Sequence, residues 1–157
     1  MCFLSRRFHD YPYLILETNN IEEGGNEMVW VGWPLARIVI LFVAFAYIFI
    51  GIQVTMSHYR QNFHQKIMLV PVLSSPFYVL FAAAYALFNL QWYGWIFAFL
   101  MWIAAISGLI GFYYHFKGVG VRVGGYAGRN FLIGPPVIMP LMYSAMGVLG
   151  LLAYYWR

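Results

Sequence analysis

Four long apolar runs separated by short polar gaps organise this chain from residue 34 onward. A hydrocarbon core about 30 Å thick takes about 20 helical residues to cross. The runs at about 34–56, 67–88, 92–116 and 135–156 meet that length. Trp33-Pro34 opens the first, with proline at a tolerated first-turn position. The second contains Pro71 and Pro76, and the fourth follows Gly134 and begins Pro135-Pro136. Only Asn89–Gln91 separate the second and third runs, which predicts a tight helical hairpin. Inside lipid each run must be helical, because every backbone N–H and C=O needs a partner within the protein. The expected fold is an all-α integral membrane protein of four transmembrane helices in one antiparallel bundle.

The gaps give an orientation. Arg60 and Lys66 lie between the first two runs, and Lys117, Arg122 and Arg129 lie before the last, whereas the Asn89–Gln91 turn is uncharged. The positive-inside rule therefore predicts that both basic gaps are cytoplasmic and both termini outside. Trp30, Trp33, Trp92, Trp95 and Trp156 all fall on the expected outer side, as half of an aromatic belt, and only Trp102 is mid-span. Ala104/Gly108, Ser107/Gly111 and Ala82/Ala86 are small-xxx-small pairs that permit close helix packing, and Gly147 and Gly150 thin the fourth run.

Composition agrees with a bilayer. Of 157 residues, 63% are hydrophobic and 9% charged, too apolar for a soluble core of this size to hide. The formal net charge of +4 does not point to nucleic acid, because the cations sit in short gaps between apolar runs rather than on a polar face. Cys2 is the sole cysteine, so no internal disulfide and no cysteine-based metal centre is available.

Residues 1–27 are a different kind of sequence from the remainder, 28–157, which holds the four-helix transmembrane domain. Glu22-Glu23-Gly24-Gly25 is what a purine-rich bacterial ribosome-binding site spells when translated, and Met28 follows at a suitable distance. The expectation is that 1–27 is an extension from a misplaced start codon, with a disordered tail as the alternative.

The acids are the sharpest asymmetry. All five Asp and Glu precede Met28. Paired-carboxylate hydrolysis, an acidic proton relay and an oxygen-ligand Ca²⁺ or Mg²⁺ site all lack their essential groups in the spans. No serine has a G-x-S-x-G context and no acid is present to orient a histidine, so the chain is not expected to be an enzyme.

Three constellations remain. Arg37 lies inside the first run near its outer end, where an unpaired charge is costly. Helix C-terminal carbonyls near Phe88, the terminal carboxylate of Arg157, a lipid phosphate, a quinone oxygen or another subunit's acid are its candidate partners. His58 and His115 fall at similar depth on two helices, the arrangement by which a bundle holds b-type haem through two axial imidazoles. A zinc ion on three histidines, with His64, is a weaker alternative, and interfacial packing is the plain one. The stretch Lys117–Asn130 reads as a loop of five glycines and three cations before the last span. Lys117, Arg122, Arg129 and Asn130 are candidate contacts for anionic lipid or for a partner, whereas the spacing fits neither a dinucleotide nor a Walker A loop.

The expected protein is a small multi-pass protein of the bacterial plasma membrane, with no cofactor and with membrane lipids, anionic ones included, around it. It would serve as a non-catalytic accessory or assembly subunit bound to a protein partner or to copies of itself. The alternative is a haem-b or quinone-interacting electron-transfer subunit.

Overall fold

The computed structural model describes residues 28–156. The proposed extension 1–27 and Arg157 lie outside the described residues. The described chain is helical: α1 (Leu35–Tyr59), a 3-10 turn (Lys66–Met68), α2 (Leu69–Phe88), α3 (Gln91–Arg122), α4 (Gly128–Ile133) and α5 (Ile138–Tyr155). Among the described residues, four segments are long and apolar enough to cross a membrane: α1, the 3-10 turn with α2, α3, and α5.

Neighbours follow from side chains that can approach closely. α1 packs against α2 and α5, and α3 against α5 and α2. Arg37 near the start of α1 reaches Ala86 near the end of α2. Gly108 of α3 lies against Ser144 and Pro140 of α5, and Gly147 of α5 against Met101 and Ala105 of α3. The central core is built from Ile40, Val43, Tyr47, Tyr78, Tyr85, Phe97 and Met101, while Phe42, Phe49, Phe77, Phe99 and Trp102 point outward. An outward shell of this kind is what a lipid solvent permits and water does not.

α2 and α3 join at Asn89, whose φ of 57° ends α2 in the left-handed conformation that asparagine tolerates well. Its backbone N–H donates to Tyr85 O, and its side chain holds the segment that leads into α1. Asn89 Oδ1 accepts from the N–H groups of Val29 (3.1 Å) and Trp30 (2.9 Å), while Nδ2 donates to Trp30 O (2.6 Å). Met28 pairs with Leu90 in an isolated antiparallel bridge beside it.

Two boundaries differ from the sequence expectation: the fourth span, expected from Pro135, begins as α5 only at Ile138, with Pro135 and Pro136 outside it, and the third runs longer than expected. The third span was expected to end near 116, with 117–130 a loop, but α3 continues to Arg122 and residues 128–133 form α4. The open turn is only Val123–Ala127, where Gly124 and Gly125 take φ of 84° and 117°. Gly118 and Gly120 are helical instead, and they leave room for Pro135 against the first and the Tyr126 ring against the second. Those glycines provide closeness, not flexibility.

Candidate functional site

At the α2–α3 turn, Arg37 is buried, and its guanidinium is engaged within the chain. Nε donates to Ala86 O (2.6 Å), one terminal nitrogen to Gly32 O (2.5 Å) and the other to Leu87 O (3.2 Å). The Trp33 ring lies 4.1 Å from the guanidinium carbon. The last carbonyls of a helix have no intrahelical donors and carry the negative end of its dipole. Arg37 therefore caps α2 from a neighbouring helix, and a planar fork suits three acceptors better than a single ammonium would.

The basic stretch divides. Lys117, Arg122 and Arg129 are exposed, whereas Asn130 is buried and donates from Nδ2 to Gly125 O at 2.8 Å. Asn130 thus closes the glycine turn. Arg122 lies 3.0 Å from His64 Nε2, so the gap after α1 and the end of α3 meet at the same end of the bundle.

That end also brings His58 and His115 together, with ring centroids 6.4 Å apart. His58 is buried and His115 half-buried. Neither Nδ1 has a hydrogen-bond partner. The backbone of Met68 faces the His58 ring, and the carbonyl of Pro136 faces the His115 ring. Both rings border a cavity of about 300 Å³ that reaches all four spans, from Gln61, Gln65 and Arg122 at its mouth to Tyr143 at its inner end. Its wall is almost entirely apolar. Among the described residues no three His, Cys, Asp or Glu side chains gather as a metal site would require.

Below the cavity lies a group that the sequence reading missed. Tyr143 OH and Ser74 Oγ are 2.6 Å apart, Ser74 Oγ donates to Val70 O (2.7 Å), and Tyr47 OH donates to Tyr143 O (2.9 Å). With the serine proton committed to Val70, Tyr143 is the donor to Ser74. Tyr47, Tyr78 and Tyr143 pack ring to ring with centroids 5.1–5.8 Å apart. Their positions on three helices carry no shared spacing, so only a tyrosine's need for a buried partner hinted at such a group.

Comparison with protein families, with curated proteins and with solved structures finds no match to this chain.

Proposed function

We propose that the chain is a multi-pass protein of the bacterial plasma membrane and a non-catalytic accessory or assembly subunit of a membrane complex. Its spans run antiparallel, with both termini outside. The reading is supported by one observation above all: the Arg122–His64 contact joins the two basic gaps at one end. Arg60, Lys66, Lys117, Arg122 and Arg129 are all exposed there, and no Asp or Glu occurs after Glu27 to answer them. A rim of one sign on the cytoplasmic face meets anionic lipid or the acids of a partner. Arg37, at the other end, is held within the chain and supplies no part of this rim.

The reading is tested by the double substitution Lys117→Glu and Arg129→Glu. Both side chains are exposed, so helix content by circular dichroism stays unchanged. Co-migration with a stoichiometric partner on native gels falls by roughly tenfold, as expected when like charges face each other across an interface. A folded double variant that still co-migrates in full sinks the accessory-subunit reading.

The electron-transfer alternative draws on the His58–His115 pair beside the cavity. A cavity of about 300 Å³ is at the small end of ligand sites and suits a quinone head better than a haem macrocycle. Protein isolated from haem-replete membranes is expected on this alternative to show a Soret band or retained quinone, either of which His58→Ala removes. Protein that carries neither removes the alternative.

A further inference from the structure

We infer that the cavity at the basic end is a binding site for an acyl chain of an anionic lipid, with the acidic head held at its mouth by Arg122. The inference depends on the chain being membrane-embedded and not on its having a protein partner.

The shape of the cavity supports a chain. Val54, Pro71, Ile110, Met139 and Pro140 give it an almost wholly apolar wall, and polar groups gather at the outer end. Its route of access is lateral. Close contacts between α2 and α3 lie near their connecting turn, where Tyr85 meets Gly94 and Phe97, and Phe81 and Phe88 meet Tyr93. Toward the other end, Ile67 and Val70 on one side and Ile110 and Tyr114 on the other border the cavity while remaining 41–49% exposed. Lipid therefore has direct access between these helices.

Charge selects the head. Arg122 stands at the mouth, Lys117 is exposed on the same helix, and no carboxylate side chain follows Glu27. Gln61 and Gln65 add uncharged hydrogen-bonding groups around the same mouth. A cationic ligand would find no counter-charge here. A carboxylate or phosphate finds a guanidinium able to bind it through two parallel N–H groups, and His64 on the other side steadies that guanidinium. The neighbouring tyrosine group forms the inner limit: Tyr143 lines the cavity, but its hydroxyl is directed to Ser74.

The test uses the full chain in phosphatidylcholine nanodiscs, titrated separately with radiolabelled oleate and with phosphatidylglycerol, and with a short-chain menaquinone as competitor. Binding is expected to saturate at one ligand per chain. Saturation by oleate identifies a free fatty acid, and saturation by phosphatidylglycerol an acidic phospholipid. Arg122→Glu weakens binding about tenfold or more, the scale of one lost charge-assisted hydrogen bond, whereas Arg122→Lys retains most of it. Ile110→Trp, at a half-exposed position that tolerates a larger ring, obstructs the lateral opening and abolishes binding without lowering the melting temperature. Non-saturable uptake of both lipids, whether or not the quinone binds, or equal binding by the wild type and both the Glu and Trp variants, overturns the inference. Failure of the charge-reversal test on Lys117 and Arg129 leaves it standing, because that test reads partner association and this one reads the ligand.

Discussion

Replacing Arg37 with methionine is expected to destabilise the protein by about 2–4 kcal/mol, despite making the first span more apolar. The substitution keeps most of the side-chain volume but leaves the carbonyls of Ala86 and Leu87 without their donors. A buried polar group stranded in this way costs about 1–3 kcal/mol. Part of that is offset, because a charge no longer has to be withdrawn from water. The contact of the guanidinium with the Trp33 ring is lost as well, worth about 0.5–2 kcal/mol depending on how dry the site is. Arg37→Lys recovers only part of the loss, since one ammonium on a flexible stem cannot address Gly32, Ala86 and Leu87 together. Reversible denaturation in detergent, followed by helical circular dichroism, checks the order wild type, then lysine, then methionine. A methionine variant as stable as wild type would show that water or lipid headgroups satisfy those carbonyls equally well.

The second large effect concerns the α3–α5 interface. Gly147→Leu is expected to separate these helices and to abolish the compact monodisperse form. A Cβ at Gly147 would stand 2.8 Å from Ala105 N and 2.9 Å from Met101 O, and one at Gly108 2.6 Å from Ser144 N and 2.8 Å from Pro140 O. These are backbone atoms, so no rotamer change relieves the overlap and a whole helix must move. Even Gly147→Ala should cost about 1–3 kcal/mol, with leucine well beyond it. Lipid makes the loss harder to absorb, because apolar surface gains little by leaving lipid for protein and close packing carries the association. Separation also breaks the Ser144 hydroxyl bond to Ala105 O, at 2.7 Å. Gly128→Ala is the matched control, with nothing within 4 Å of its added carbon. Size-exclusion profiles and melting in detergent distinguish the three, and a Gly147→Leu protein that elutes and melts as wild type would refute the packing argument.

Much of the fold was legible because a bilayer simplifies the problem. Run length and the need for internal backbone pairing are enough to place spans, and the observed α1 and α2 lie within a few residues of the expected ones. The small-xxx-small pair Ala104/Gly108 lies at the α3–α5 contact. Legibility failed where one residue type serves opposite ends. Glycine frees a turn at Gly124 and Gly125 but admits a neighbour at Gly118 and Gly120, and only the tertiary partners Pro135 and Tyr126 separate those uses.

The candidate site was legible in its parts and not in its shape. Helix C-terminal carbonyls near Phe88 are among the partners the sequence offers Arg37, and they hold it. His58 and His115 were expected at similar depth and do approach one another. The cavity beside them is lined by residues of all four spans at once, which no local pattern encodes. Asn130 shows the reverse: a polar residue beside cations reads as a ligand contact, yet its amide is committed to Gly125. Asn89 is more than part of a turn, because an asparagine directly after a helix is a recognisable left-handed terminator.

The Asn89 clasp carries a consequence for how the protein is made. Its partners Val29 and Trp30 are 60 and 59 residues earlier in the chain. At roughly 5–20 residues per second, the ribosome delivers Asn89 about 3–12 s after them. Throughout that interval the first span can sit in the bilayer, but its leading segment has nothing to fasten to, and Arg37 has no carbonyls to cap. Both fastenings become possible in the same moment, when the hairpin of the second and third spans emerges. Membrane insertion of this protein thus closes backwards: the earliest residues of the described chain are secured by some of the later ones, and the first span is the one that waits.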